Sequence, residues 1–150
     1  MRVVIQRVRS ASVWIENAIH SEIASGMLVF IGIESNDSSA DIEWLTNKIS
    51  NLRIFPDEGG IMNKSILDVE GEVLVVSQFT LHASTKKGNR PSYIKAAKPE
   101  ISIPLYEGFV NRMQQMMTRP VQTGVFGATM EVRIVNDGPV TIIIDSKNKE

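Results

Sequence analysis

Two strand-like runs close the chain, Met130 to Val135 and Val140 to Asp145, and Asn136, Asp137, Gly138 and Pro139 stand between them. The runs commit this end of the chain to sheet. The insert constrains what lies between, because Gly138 has no Cβ and Pro139 has no N–H to donate. Such a stretch presents carbonyl oxygens with little side-chain cover, and bare carbonyls can accept from an ammonium group. The ordinary reading of these four residues is a hairpin turn, where residues of this kind abound. A second segment shifts the balance. Ser77-Gln78-Phe79-Thr80-Leu81 ends the apolar run Val73-Leu74-Val75-Val76. Hydroxyl and amide residues at the end of a buried strand suit a site in which main-chain N–H groups turn toward a ligand.

The rest of the pattern is mostly β. Arg2 to Val8, Ala11 to Glu16 and Ile19 to Ala24 read as short strands, Met27 to Glu34 as a strand buried on both faces, and Glu72 to Gln78 as the central strand. Ser38 opens a helix, with Asp41 completing a capping box and Ile42, Leu45, Ile49 and Leu52 on one face. A second helix is predicted over Ile103 to Met117, with Pro104 in its first turn and Leu105, Phe109, Met113 and Met116 or Met117 facing the core. Its methionines, like Trp14 and Trp44, read as packing residues. Together these elements indicate an α+β domain with helices packed on a largely antiparallel sheet.

At 150 residues the chain fits one domain, 1–150, with the polar tail 146–150 expected to fray. Cysteine is absent, which removes disulfides and thiol chemistry and fits a reducing compartment. The longest apolar run, Met27 to Ile33, is far below membrane-spanning length, so a cytoplasmic protein without a membrane partner is expected. A net charge of −1 argues against a nucleic-acid partner for the chain as a whole. Its distribution argues otherwise. His82 to Pro99 holds five basic residues, Lys86, Lys87, Arg90, Lys95 and Lys98, and no acidic one, leaving the remainder at −6. A charge run is commonly a solvated face, but this one directly follows the proposed site segment, as a phosphate-gripping loop would.

Conventional catalytic motifs are missing. His20 and His82 sit in unrelated contexts, and neither a His-Glu-x-x-His motif, a nucleophile elbow nor a P-loop occurs, so neither metal nor organic cofactor is expected. Thr80 is the best nucleophile on paper and Ser77 the second, but neither is reactive without a base. Were residues 78 to 82 extended, His82 would share a face with Thr80.

Ser77-Gln78-Phe79-Thr80-Leu81 and Asn136-Asp137-Gly138-Pro139-Val140-Thr141, at this separation, resemble the signature pair of the D-aminoacyl-tRNA deacylases. The resemblance extends to Ile5-Gln6-Arg7-Val8, to Gly88-Asn89-Arg90-Pro91-Ser92 and to Gln122 through Ala128, and so spans nearly the whole chain. It implies a layered sheet-sheet-helix domain working as a homodimer on the acceptor end of aminoacyl-tRNA. Ser77, Gln78, Phe79 and Thr80 would form the catalytic segment, with backbone N–H groups near 78 to 80 polarising the ester carbonyl and Phe79 shaping the adenosine pocket. Gly138 and Pro139, joined by a cis bond and braced by Arg7, would reach the partner's site, receive the α-amino group and exclude L-side chains, with Asn136 in the same substrate-binding group. Lys86, Lys87 and Arg90 would contact tRNA. A collision-based filter of this kind leaves glycyl-tRNA open to hydrolysis. This chain has His82 where the family commonly has tyrosine, which weakens the case for that histidine as a base.

The implied reaction is hydrolysis of the D-aminoacyl ester, releasing tRNA and a D-amino acid, with the ribose hydroxyl beside the ester helping to direct water. Two other classes stay open on the residues alone. One is a module that binds tRNA ends without chemistry, and the other is a serine or threonine hydrolase of small esters.

Overall fold

The first two expected strands are one. β1 runs without interruption from Arg2 to Ile15 in the computed structural model, which describes residues Met1–Glu150. The polar pair Arg9-Ser10 is absorbed by irregular pairing between Gln6 and Ser10. Bulges of this kind bend a strand and change which side chains face inward. Val3 and Ile5 accordingly belong to one apolar cluster, whereas Val8, Ala11 and Val13 belong to another.

β2 (Ala18–Ile23) returns along β1 through Glu16 and Asn17, whose φ values of 50° and 65° are those of a tight two-residue hairpin. β3 (Gly26–Gly32) then pairs antiparallel with the first half of β1. β6 (Glu72–Ser77) lies parallel to β3, and the short β7 (Gln122–Thr123) lies parallel to β6. The sheet is therefore mixed, not largely antiparallel throughout. A parallel β3–β6 pair requires a crossover, and it is supplied by α1 (Ser39–Ser50) and a separate hairpin, β4 (Phe55–Pro56) with β5 (Met62–Lys64).

β8 (Glu131–Asp145) corrects the hairpin reading of the insert. Both of its halves pair antiparallel with the same β1, so the chain does not reverse at residues 136–139. Between the pairs Gln6–Thr141 and Val8–Asn136 the register advances two residues on β1 but five on β8. The surplus is pushed out of the ladder as a bulge carrying Gly138 and Pro139.

Alternation along β3 and β6 fills both faces of the sheet. Met27, Val29, Ile31, Val73 and Val75 meet the helices, and Leu28, Leu74 and Val76 point to the other side. On that side Ser21 Oγ of β2 donates to the Thr123 carbonyl of β7 at 2.7 Å. This contact joins the two ends of the sheet, so the expected sheet layers are parts of one sheet curled nearly closed.

α1 forms as its sequence suggests. The Ser38 N–H donates to Asp41 Oδ2 at 2.8 Å, and Ile42, Leu45 and Ile49 are buried. α2 (Pro99–Met116) begins earlier than expected. Pro99 takes its first position, where a missing N–H costs nothing, and Pro104 falls in the second turn. The carbonyl of Glu100 loses its intrahelical donor there, but both residues are exposed and water can serve it. The buried face is Ser102, Tyr106, Phe109 and Met113, while Leu105 is only half buried. Phe109 and Met113 are fully buried, worth ~2 to 3 kcal/mol each. Tyr106 donates its hydroxyl to the Val75 carbonyl at 3.0 Å, tying α2 to β6, and burial pushes its pKa up to about 12.

The tail departs from expectation at its start. Ser146 is buried and donates from Oγ to Asp41 Oδ1 at 2.7 Å, and Lys147 Nζ reaches Asp41 Oδ2 at 2.9 Å. Burial disfavours ionisation of Asp41, but the hydrogen bonds from Lys147, Ser146 and the Ser38 N–H outweigh it and hold the carboxyl well below the usual range.

Candidate active site

β6 ends at Ser77, and the chain does not stay extended beyond it. Phe79–His82 forms a 3-10 turn in which Leu81 N–H donates to the Gln78 carbonyl at 3.2 Å. The shared face proposed for Thr80 and His82 is thereby lost. His82 is buried, 2% exposed, with Nδ1 3.2 Å from Glu34 Oε1. Thr80 Oγ1 is instead contacted by Gln78 Nε2. Neither Thr80 nor Ser77 has a base beside it.

The expected row of backbone donors is shorter than the sequence suggests. Gln78 N–H continues the β3–β6 pairing by donating to the Ile31 carbonyl at 2.8 Å. Phe79 and Thr80 head the 3-10 turn, where N–H groups lack intrahelical partners. Gly32 allows the turn to sit this close to β3. A Cβ there would come within 3.0 Å of the Gln78 carbonyl oxygen, His82 Cδ2 and Leu81 Cβ.

A cavity of about 620 Å³ opens at the end of β6, a volume suited to a nucleoside-sized ligand. Ser77, Gln78, Phe79, Tyr93, Lys98, Phe126 and Met130 are among the lining residues; Thr80 is not part of the lining. Phe79 is 55% exposed and meets Tyr93 edge-on, with ring centroids 5.1 Å apart. Phe126 and Met130 escape sequence reading because only the curl of the sheet brings them to this strand end.

The basic loop leads directly into the lining residue Tyr93. Ser84 and Ser92 pair as an isolated bridge, and Lys86, Lys87 and Arg90 between them are exposed and make no ion pair. No three His, Cys, Asp or Glu side chains converge as a metal site would require. No helix is long and apolar enough to cross a membrane.

The other expected residues form a separate cluster. The Gly138–Pro139 bond is cis, Gly138 has φ 121°, and both residues are exposed. Arg7 lies beneath them, with Nε 3.1 Å from Asp137 Oδ2 and Nη1 donating to the Ile54 carbonyl at 2.6 Å. Asn136 Nδ2 donates to the carbonyls of Arg7 and Val140 at 2.9 and 3.1 Å, so its amide pins the base of the bulge. None of Arg7, Asn136, Gly138 and Pro139 lines the cavity at the end of β6. A single chain does not bring the two groups together.

Residues 4–145 match the family described as D-Tyr-tRNA(Tyr) deacylase. The chain is 66% identical to a D-aminoacyl-tRNA deacylase of Bacteroides fragilis and 60% identical to one of Parabacteroides distasonis, covering 100% of both chains in each case. Among solved structures it resembles one described as c-Myc DNA Unwinding Element Binding Protein, with a TM-score of 0.92 and 39% identity over 97% of this chain and 98% of the other. It shares its fold with a probable eukaryotic D-amino acid tRNA deacylase, with a TM-score of 0.81 at 16% identity over 95% and 97% of the two chains. The chain belongs to the D-aminoacyl-tRNA deacylase family.

Proposed function

We propose that the cavity at the end of β6 receives the 3′-terminal aminoacyl-adenosine of a D-aminoacyl-tRNA and that the enzyme hydrolyses its ester. The observation that carries this reading is a nucleoside-sized cavity walled by Ser77, Gln78 and Phe79 beside an unopposed basic loop, in a chain of this family. Water adds to the ester carbonyl carbon, the bond from that carbon to the ribose oxygen breaks, and the ribose oxygen takes a proton. A D-amino acid and free tRNA leave.

With no base near Thr80 or Ser77, activation of water falls to the vicinal ribose hydroxyl of the substrate. The protein's part is to orient the ester and stabilise the developing oxyanion, through the Phe79 and Thr80 N–H groups. Phe79 and Tyr93 offer the aromatic surface for the adenine, and Lys86, Lys87 and Arg90 meet the phosphates behind it.

Chiral selection comes from Gly138 and Pro139 of a second copy. Two features support a homodimer. Gly138 and Pro139 are exposed and do not line their own chain's cavity, and β8 pairs with β1 alone while exposing Ile134, Val135 and Ile143 by 38%, 51% and 68%. An unpaired edge with exposed apolar side chains is the surface a second copy would cover. The side-by-side carbonyls of Gly138 and Pro139 would receive the α-ammonium, and the pair would leave no room for an L-side chain.

Matched D- and L-tyrosyl-tRNA test the reading. Ester loss from the D-substrate alone is expected. Tight binding of both without turnover would favour a binding module, and equal turnover would remove chirality from the function.

A further inference from the structure

His82 stands next to the site without entering it. Its ring is 2% exposed, Nδ1 lies 3.2 Å from Glu34 Oε1, and Nε2 is buried with no hydrogen-bond partner. A buried ring nitrogen without a partner costs stability, and a leucine of similar volume would avoid that cost. Packing alone gives no reason for a histidine here. What the imidazole adds is one polar contact, and its partner is placed to use it. Glu34 pairs through its backbone with Ala96 as an isolated bridge, and the Ala97 N–H donates to the neighbouring Ile33 carbonyl at 2.9 Å. Ala96, Ala97 and Lys98 line the cavity together with Phe79 and Tyr93.

We infer that the His82–Glu34 contact holds the 3-10 turn in place against the 96–98 stretch of the cavity lining, making His82 a positioning residue for deacylation. The inference rests on the proposed function. The 3-10 turn bearing Phe79 and Thr80 ends at His82 and has three side-chain anchors, one of them the Phe79–Tyr93 ring contact. Arg2 Nη1 donates to the Leu81 carbonyl at 2.8 Å and ties the turn to β1. His82 ties it to Glu34 and thereby to the segment that carries Tyr93. Without that tie the turn keeps its contacts to β1 and to Tyr93, but the Phe79 and Thr80 N–H groups are held less firmly relative to a substrate seated against Lys98. Misplacement of this kind lowers turnover more than it weakens tRNA binding, because the basic loop is untouched.

The test compares His82→Leu, which keeps volume and removes the polar contact, with His82→Asn, whose Nδ2 can stand where imidazole Nδ1 stood. Glu34→Gln, which keeps an acceptor oxygen, is compared with Glu34→Ala. On D-tyrosyl-tRNA, His82→Leu and Glu34→Ala should lower kcat by on the order of 10- to 100-fold with KM little changed, while His82→Asn and Glu34→Gln keep most of the activity. A folded His82→Leu enzyme with wild-type kcat overturns the inference, as does a His82→Asn variant that falls as far as His82→Leu. Amide hydrogen exchange supplies a readout independent of chemistry. Exchange should quicken across residues 79–83 and 93–97 in His82→Leu and not elsewhere, and unchanged protection there also overturns the clamp. Wild-type enzyme that spares D-tyrosyl-tRNA would refute the proposed function, with the exchange result still deciding the clamp.

Discussion

Arg7 places its Nε 3.1 Å from Asp137 Oδ2, and the same guanidinium donates from Nη1 to the Ile54 carbonyl at 2.6 Å. One buried cation thus joins the bulge of β8 to the loop that leads into the β4–β5 hairpin. It also closes the space beneath Gly138, where a Cβ would come 2.9 Å from Arg7 Nη2.

Removing this brace should cost stability before chemistry is considered. Arg7→Leu leaves the Ile54 carbonyl without its donor and Asp137 without its buried partner, a loss of about 2 to 4 kcal/mol. Arg7→Lys should fall between, since one ammonium cannot replace a planar fork that meets two partners. Urea midpoints at unchanged m-value measure both. An Arg7→Leu loss below about 0.5 kcal/mol, the range of ordinary surface substitutions, would show that the guanidinium does not hold the bulge.

Acid should weaken the tie between the tail and α1. Asp41 has a folded-state pKa below its unfolded value near ~3.9. Its contribution is therefore fully present above that value and is lost as pH falls toward the folded pKa. Asp41→Asn should reduce stability at pH 7 by ~2 kcal/mol, and the gap to wild type should narrow as pH drops below about 4. A gap that stays constant down to acid unfolding would show that the carboxylate charge is not what holds Lys147 and Ser146.

What was legible in the sequence follows the range of the interactions concerned. α1 could be read because its capping residues and apolar face lie within four residues of one another, and the alternation of β3 and β6 could be read because both sheet faces are apolar. The 3-10 turn after Gln78 is hidden in the sequence, since it depends on Gly32 letting the turn approach β3. The continuity of β8 was hidden for a related reason. Asn136 to Pro139 carry the residues of a hairpin turn, and only the length of β1 as a common partner keeps the chain running straight. The proposed catalytic segment and the Gly-Pro pair can be named from the sequence, but their separation within one chain is a property of the folded sheet.

Mechanism divides cleanly at Thr80. Its hydroxyl is engaged with Gln78 and has no base, so Thr80→Val should stay within about tenfold of wild-type turnover, whereas loss of a true nucleophile costs on the order of 10⁶. A 3′-ester substrate lacking the vicinal 2′-hydroxyl should be nearly inert. Trapping of an acyl-enzyme on Thr80 or Ser77 would overturn the substrate-assisted route.

The basic loop should show itself through salt. Lys86, Lys87 and Arg90 are exposed without acidic partners, so replacing all three by glutamine should weaken tRNA binding and flatten the plot of log affinity against log salt. Three contacts to a single strand correspond to a change in slope of about 2. An unchanged slope would count against the loop as a phosphate contact, because counterion release would then be the same.

A filter that rejects L-residues by collision cannot reject glycine, which has no side chain to collide. If Gly138 and Pro139 form that wall, glycyl-tRNA should be hydrolysed while L-alanyl-tRNA, larger by one methyl group, is spared. Substituting Gly138 tests the same surface from the protein side. At φ 121° an L-residue is strained, and its Cβ would also lie 2.9 Å from Val140 Cγ2. Gly138→Ala should lose about 1 to 3 kcal/mol of stability and slow D-aminoacyl and glycyl substrates together, because the crowded position is the one both ammonium groups need. It should not admit L-substrates. Wild-type rates on glycyl- and L-alanyl-tRNA at equal enzyme decide the matter. Similar rates would exclude steric rejection by this pair, and complete resistance of glycyl-tRNA would mean that the cavity recognises a D-side chain directly.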